Sequence, residues 1–169
     1  MSKAFTRESD DVPERPVLPR LPALLPPGAK NYLTPDGARR FQDELRRLLD
    51  QERSQVASSN DRHAPQQSEA RRQRIQHLER CLHAAEIVPS PAQPWDQVRF
   101  GGTVTVRDGK DDQTCYRIVG AAETDADRGW VSCFSPIARA LLNAKLGQRV
   151  RFKFPSGEEW LEIVNISYE

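Results

Sequence analysis

The sequence lacks the features that mark secreted, membrane-spanning and disulfide-linked proteins. Only three of its 169 residues are cysteines and none forms a CxxC pair, which argues against a disulfide framework or a zinc site. No stretch approaches eighteen consecutive apolar residues, and the opening MSKAFTRESDD has no apolar run of the kind found in signal peptides. We therefore expect a soluble, cytoplasmic protein without a membrane partner, with reduced thiols at Cys81, Cys115 and Cys133, the last two buried in strands.

An excess of either charge is also missing. The chain carries 25 Lys and Arg against 24 Asp and Glu, a net charge of +1, so a generally basic nucleic-acid-binding surface is disfavoured, although a local basic patch is not. Hydrophobic residues make up 37% of the chain, and the mean hydropathy is −0.70. The chain is thus too polar for one core that includes every residue and too apolar for complete disorder.

Common catalytic signatures are absent as well. The sequence contains no phosphate-binding glycine loop and no HExxH or GxSxG motif. His77 and His83 are six residues apart, so they do not share a helical face as metal ligands would, and the His77 to Cys81 spacing lacks two further ligands. The residues alone therefore do not indicate a self-contained enzyme, and we expect no cofactor of its own.

Proline sets the N-terminal part of the chain apart. Seven of the thirteen prolines lie in residues 1–35, and the segment VPERPVLPRLPALLPPG cannot support a helix, because proline removes a donor and restrains the residue before it. We expect residues 1–30 to be a proline-rich flexible tail. The alternative is a peptide that docks on a partner or on the rest of the chain through its leucines, which are Leu18, Leu21, Leu24 and Leu25.

A helix start follows this tail. Thr34 can cap free N–H groups, Pro35 suits the first turn, and Asp36 faces the positive end of the helix dipole. No glycine occurs between residues 38 and 100, so glycine does not weaken helical structure in this segment.

Two apolar seams then repeat with spacings of three, four and three residues. They consist of Ala38, Phe41, Leu45 and Leu48, and of Ile75, Leu78, Leu82 and Ala85. The turn-rich residues 58–65 separate them. The pattern predicts an antiparallel coiled-coil hairpin over residues 31–88, with its tip near 58–65 and arms of roughly 22 residues, or about 30–35 Å.

The predicted tip is polar on every face. The two seams continue toward it with Glu52 and Gln55 on one arm and with Ser68 and Arg71 on the other. Basic residues gather near this end; they are Arg62, Arg71, Arg72 and Arg74. Such a run is commonly a solvated helix face. The alternative is a tip that enters a polar and crowded place.

From about Trp95 the pattern changes to short strands. Strand-like runs cover residues 98–106, 114–120, 130–133, 149–154 and 158–167. Ser135 and Pro136 begin a helix that we expect to run to Gly147. Residues 89–94 form a linker, and residues 95–169 form a small antiparallel sheet packed on one helix, so the predicted fold class is α+β.

Several of these segments resemble the bacterial Gre transcript-cleavage factors over residues 31–168. They are YLTPDG at 32–37, HLERCLHAAEIV at 77–88, FGGTVTV at 100–106, YRIVG at 116–120, and SPIARALL at 135–142 followed by Gly147. SPIARALL is the most specific of them. The segments MSKAFTRESDD and LPPGAKNYLT are more similar to the GreB type than to the GreA type.

The resemblance implies a monomeric regulator of transcription elongation that binds RNA polymerase. In this family an FKBP-like C-terminal domain docks on the rim of the secondary channel, and the coiled coil reaches toward the active site. Acidic tip residues help to hold a second Mg²⁺, and the polymerase itself cleaves the backtracked RNA.

The family roles carry over to individual residues of this chain. We expect Ser135, Pro136 and Arg139 to dock on the polymerase. We expect Asp61 to be the tip carboxylate that assists the polymerase Mg²⁺. The residues expected to contact the nascent RNA 3′ end at the tip are Arg62, His63, Arg71, Arg72 and Arg74.

The chain departs from the family pattern at its tip. The family places a glutamate three residues after the tip aspartate, and here that position is Ala64, although Asp61 and Arg62 match. Each arm is also about one heptad shorter, which removes roughly 10 Å of reach. This departure favours a non-cleaving channel competitor similar to the Rnk-type nucleoside diphosphate kinase regulators. A further alternative, a prolyl-isomerase-like module, rests on the FKBP-like resemblance of the C-terminal domain alone. In both, Asp61 is simply a turn residue.

Overall fold

The computed structural model describes residues 25–56, 64–154 and 157–168. In chain order its elements are β1 (Asn31–Leu33), α1 (Pro35–Val56), α2 (Ala64–His83), β2 (Ala85–Ile87), β3 (Thr103–Arg107), β4 (Gln113–Val119), β5 (Trp130–Ser132), α3 (Pro136–Leu141), β6 (Arg149–Phe154) and β7 (Gly157–Ser167). Two 3₁₀ turns, Ala121–Glu123 and Ala126–Arg128, lie between β4 and β5. Within the described ranges, no helix combines the length and the apolar character needed to cross a membrane.

The first helix begins where its capping residue predicts. α1 starts at Pro35, and Asp36 lies in its first turn. The hydroxyl of Thr34 accepts a hydrogen bond from Gly37 N at 2.9 Å, and the Thr34 carbonyl accepts one from Ala38 N at 2.9 Å. The predicted helix start is therefore confirmed, through contacts made within a single turn.

α1 and α2, here called the helix pair, lie side by side in opposite directions. Glu44 accepts two hydrogen bonds from Arg74, at 2.7 and 2.8 Å, and Glu52 pairs with Arg72 at 3.4 Å. The more C-terminal carboxylate on α1 thus meets the more N-terminal arginine on α2. An apolar cluster joins the helices; its buried members are Leu33, Ala38, Phe41 and Leu78, and its half-buried members include Leu45, Leu48, Cys81 and Leu82.

Two short strands lie at the base of the helix pair. β1 and β2 run parallel, with Asn31 opposite Ala85 and Leu33 opposite Ile87. The apolar seam predicts Ala85 in the second helix, and the structure places it in β2 because α2 ends at His83. Strands of three residues carry too little alternation to be recognised, so the sequence pattern does not predict this sheet.

The remaining strands form a second sheet in the order β5-β4-β3-β7-β6, which together with α3 and the connecting segments of residues 95–168 is here called the sheet unit. Three of its strand pairs are antiparallel, but β4 and β5 run parallel. This corrects the expectation of a purely antiparallel sheet, because residues 120–129 carry the chain back across the sheet instead of turning tightly. The core between the sheet and α3 contains Val98, Val104, Val106, Ile118, Ile137, Ala138, Leu141, Val150, Leu161, Ile163 and Ile166.

α3 is shorter than the sequence predicts. It ends at Leu141 instead of continuing to Gly147. Asn143 has a φ of 67°, in the left-handed region, and its N–H donates to the carbonyl of Val98 at 2.8 Å. Residues 142–146 therefore fold back against the segment before β3, and the helix cannot extend through them.

β3 begins at Thr103 instead of Val98, because Gly101 has a φ of 83° and interrupts the extended run. The three cysteines are free thiols, but Cys115 is exposed and Cys133 is half-buried. The expectation of a buried thiol is therefore wrong for Cys115, which lies on the face of β4 away from the core, and Cys133 follows the end of β5 instead of lying in a strand.

Parts of two predicted segments lie outside the described residues. These are residues 1–24 of the predicted tail and residues 58–63 of the predicted tip. The domain boundaries placed after residues 30, 88 and 94 stay predictions.

The Glu44–Arg74 pair gives a prediction about stability and pH. We expect Arg74→Ala to lower the free energy of unfolding by about 1 kcal/mol at neutral pH, a modest loss because both side chains are partly exposed to solvent. The hydrogen bonds from Arg74 hold the pKa of Glu44 below its usual range. The pair therefore stabilises the fold fully above the pKa of Glu44 in the unfolded chain, and this contribution disappears as the pH falls through the lower folded pKa.

Urea unfolding of the wild type and of Arg74→Ala, at about pH 7 and about pH 3, measures this effect. The difference between the two proteins should shrink in acid. Arg53→Ala is the control, because the ion pair of Arg53 with Asp50 is far more exposed. Equal losses for both variants at neutral pH would contradict the prediction.

Candidate functional site

The predicted docking residues lie at the start of α3. Ser135 caps this helix, and its hydroxyl accepts a hydrogen bond from Ala138 N at 3.3 Å. Pro136 and Arg139 are exposed, whereas Ala138 and Leu141 are fully buried in the core. The buried residues fix the helix on the sheet, and the exposed proline and arginine form an edge that a partner can contact.

The basic residues predicted at the tip do not share one environment. Arg74 is half-buried and its guanidinium is held by Glu44, so it joins the two helices. Arg72 is exposed and makes a weaker contact with Glu52. Arg71 lies half-buried on α2. The predicted tip residues Asp61, Arg62 and His63 lie outside the described residues.

His77 and Cys81 lie together on α2 without forming a metal site. The Cys81 Sγ is 3.4 Å from His77 Nε2. Burial raises the pKa of the Cys81 thiol, and burial together with the nearby arginines lowers the pKa of His77, so both groups are favoured in their neutral forms. Across the residues that the structure describes, no group of three or more His, Cys, Asp or Glu side chains is placed to hold a metal ion.

A buried carboxylate joins the helix pair to the sheet unit. The side chain of Glu123 is fully buried. Its Oε2 accepts hydrogen bonds from Thr34 N at 2.9 Å and from Gly120 N at 3.2 Å, and its Oε1 accepts one from the Thr34 hydroxyl at 2.6 Å. The guanidinium of Arg40 lies 3.6 Å from the same Oε1. One side chain of the sheet unit thus contacts the first two turns of α1.

An indole ring lies beside this carboxylate. The guanidinium of Arg40, on α1, is 4.5 Å from the centre of the Trp130 ring, and those of Arg117 and Arg128 are 5.0 and 5.3 Å from it. Arg40 therefore contacts both Glu123 and an aromatic face of the sheet unit. These contacts, with the Glu123 hydrogen bonds, define what we call the junction.

Two glycines allow the junction to close. A Cβ on Gly120 would overlap the carbonyl oxygen of Tyr32, and a Cβ on Gly37 would overlap the carboxylate of Glu123. Neither glycine has a positive φ that would require it for backbone reasons. Their role at these positions is to permit close approach of the two parts.

Sequence reasoning missed Glu123 and the junction. Glu123 and Thr34 are 89 residues apart in the chain, and a single glutamate in the segment GAAET has no pattern that marks it as buried. The only local sign is Gly120, which opens the 3₁₀ turn that holds Glu123.

Comparison with known proteins gives one consistent result. Residues 92–168 match the family described as "Transcription elongation factor, GreA/GreB, C-term". The chain is 36% identical over 152 residues to the transcription elongation factor GreA of Trichlorobacter lovleyi, covering 81% of this chain and 96% of that protein. It is 35% identical over 155 residues to the transcription elongation factor GreB of Neisseria meningitidis serogroup B, covering 82% and 94%.

A solved structure, the prokaryotic transcription elongation factor GreA/GreB from Nitrosomonas europaea, is 20% identical to this chain. The match covers 83% of this chain and 99% of that one, with a TM-score of 0.42.

Proposed function

The chain belongs to the GreA/GreB family of transcription elongation factors, and we propose on this premise that it binds RNA polymerase at the rim of the secondary channel. The helix pair would enter the channel as an antiparallel coiled coil and regulate the elongation of backtracked or paused complexes. The chain would act as a monomer in the cytoplasm. It is not itself an enzyme, because the polymerase carries out any RNA cleavage.

One observation carries this proposal: the similarity extends along nearly the whole length of proteins named as elongation factors. The GreA and GreB relatives are 35–36% identical to the chain, and the match covers 94–96% of their length. Because it also covers 81–82% of this chain, it extends well beyond residues 92–168 and includes the helix pair. A function that needs both parts is therefore favoured over one that uses the sheet unit alone.

The sheet unit supports docking through the start of α3. Arg139 presents a positive charge and Pro136 an apolar ring, both exposed. An edge of this kind suits an acidic protein surface, because complementary charge guides association and a rigid apolar group adds contact area. Ser135 contributes by capping the helix that carries them.

The helix pair supports insertion into a narrow channel. α1 has 22 residues and α2 has 20, which gives a rod of about 30 Å. We propose that Arg71 and Arg72 favour the extruded RNA 3′ segment by attraction to its phosphates. Arg74 contributes less to this contact, because its guanidinium is bound to Glu44.

Residues at the far end would act on the chemistry of the polymerase. In this proposal Asp61 supplies a carboxylate oxygen to the second Mg²⁺ of the polymerase, and Arg62 and His63 contact the RNA near it. A two-metal site activates water and stabilises the leaving oxygen, and the second ion needs additional oxygen ligands.

A specific feature favours a second candidate, a channel competitor that does not promote cleavage. The family position for the second tip acid is Ala64, which begins α2. A single carboxylate on a shortened rod is a weaker ligand for a metal ion than two. In this version the chain occupies the channel and excludes other factors.

Cleavage of the RNA 3′ end in stalled, backtracked complexes distinguishes the two versions. We expect the wild type to accelerate cleavage. With Asp61→Ala the cleavage rate should be lower than with the wild type by about tenfold or more. We also expect that the Arg139→Glu variant must be present at an about tenfold higher concentration to give the same acceleration. Lys110→Glu is the matched control, because Lys110 is exposed in the turn between β3 and β4, away from α3.

Each other outcome has a definite meaning. If the wild type does not accelerate cleavage but slows the cleavage driven by a standard Gre factor, the competitor version is correct. If the wild type does not bind polymerase at all, the proposed function is wrong. Isomerisation of a proline peptide by the full chain without polymerase would instead favour the prolyl-isomerase alternative.

A further inference from the structure

The helix pair and the sheet unit meet at one buried carboxylate. Glu123 belongs to the sheet unit, and two of its hydrogen bonds come from Thr34, the residue that caps α1. Its remaining hydrogen bond comes from Gly120 in its own turn. The side chain therefore receives donors from both parts at once, in a place that water does not reach.

A buried carboxylate of this kind favours one position of α1 relative to the sheet unit and disfavours others. A charged group away from water is strongly disfavoured unless donors surround it. If α1 moved by a few ångströms, Glu123 would lose the amide and hydroxyl of Thr34 as well as the guanidinium of Arg40. The free energy thus rises steeply for small displacements, which is how charge-assisted hydrogen bonds provide geometric specificity.

The packing around Glu123 acts in the same direction. The Trp130 ring holds the Arg40 guanidinium at 4.5 Å, and the absence of a side chain at Gly37 leaves the space that the carboxylate occupies. Tyr32 and Phe100 also form an aromatic contact across the two parts, with ring centres 5.9 Å apart. The junction is therefore a packed joint with a charged centre.

We propose that Glu123 is a positioning residue that sets the direction in which the helix pair leaves the sheet unit. This inference rests on the proposed function for its consequence, since a sheet unit docked on the polymerase would aim the helices through this joint. A rotation of about 10° at the base of a 33 Å helix moves its far end by about 6 Å. Such a displacement is enough to take a tip residue out of reach of a reacting group.

The direction of the helix pair is measured first in the free protein. Spin labels on Cys115, which is exposed on the sheet unit, and on an Ala70→Cys substitution, exposed on α2 far from the junction, give a distance distribution between the two parts, with Cys81→Ala and Cys133→Ala as background. We expect one narrow distance distribution for the labelled protein that retains Glu123. The same labelled protein with Glu123→Ala should give a distribution about twofold broader.

Two further variants keep this test decisive. Glu123→Gln retains one acceptor oxygen and should broaden the distribution less. Arg40→Ala removes a partly exposed partner, so it tests the joint even if Glu123→Ala does not fold. Glu86→Ala is the matched control, because Glu86 lies at the same base and its side chain forms an exposed pair with Lys30. Equally narrow distributions for Glu123→Ala, Arg40→Ala and Glu86→Ala would overturn the proposal.

The effect on polymerase is measured separately. Glu123→Ala should bind polymerase with an affinity within about twofold of the wild type, while its maximal effect on backtracked complexes falls by about tenfold. A purely structural loss would lower affinity and maximal effect together. If the wild type does not bind polymerase, only the proposed function fails, because the distance measurements in the free protein still decide the role of Glu123.

Discussion

Leu78→Ala is expected to lower the free energy of unfolding by about 3 kcal/mol, which would abolish most of the order of the helix pair. Leu78 is fully buried, and among the described residues the other buried members of its cluster are Leu33, Ala38 and Phe41. Removing a large side chain from so small a cluster leaves a cavity that few neighbours can fill. Apart from the buried Ile75 and the half-buried leucines at the edge of this cluster, the described side chains of both helices are mostly polar and add little burial of their own.

Circular dichroism at the helix band during thermal and urea unfolding measures this loss. Leu82→Ala is the matched control, because Leu82 is only half-buried at the edge of the same cluster and should cost about 1 kcal/mol. Near-ultraviolet signals from the tryptophans, which lie in or beside the sheet unit, should change much less. Equal stability of the two variants would mean that the helix pair is not held together by this cluster.

The helix start illustrates what a sequence predicts well. Thr34, Pro35 and Asp36 act within one turn of α1, so their effect depends on neighbours that the chain itself supplies. The apolar seams are similarly local, and Phe41 and Leu78 are buried as the spacing predicts. Contacts between residues three or four apart are fixed by helical geometry, and tertiary context changes them little.

α3 and β5 illustrate what the sequence could not predict. Residues 142–146 include good helix formers, but the N–H of Asn143 donates to the carbonyl of Val98, more than forty residues away, and the helix stops. The parallel direction of β5 depends on the path of residues 120–129, where two 3₁₀ turns carry no strong signal. In both cases a long-range contact overrides a local preference.

The residues of the candidate site also differ in whether local sequence or long-range contacts determine their role. Ser135 and Pro136 are recognised because capping is local, and the structure bears out the cap. Glu123 is not recognised, because its importance comes from Thr34 and Arg40, which lie in another part of the chain. A residue whose role is to hold two parts together is visible only once both parts are in place.

Gly120→Ala is expected to lower the free energy of unfolding by about 2–3 kcal/mol and to loosen the junction. Gly120 has a φ of −65°, which alanine adopts without strain, so the backbone conformation is not the cause. The cause is space: the added Cβ would overlap the carbonyl oxygen of Tyr32, which is backbone and cannot rotate away. Either β1 or the turn that carries Glu123 must move, and the hydrogen bonds of Glu123 to Thr34 then lengthen.

Gly109→Ala is the matched control, because its added Cβ would meet nothing within 4 Å. Urea unfolding of both variants measures the loss of stability, and hydrogen exchange at the amide of Thr34, which donates to Glu123, measures the opening of the junction. If Gly120→Ala opened the junction but left the unfolding of the sheet unit unchanged, the close approach at Gly120 would serve the joint alone. If both variants were equally stable and equally protected, the contact between Tyr32 and Gly120 would be too loose for Glu123 to hold the helices in one direction.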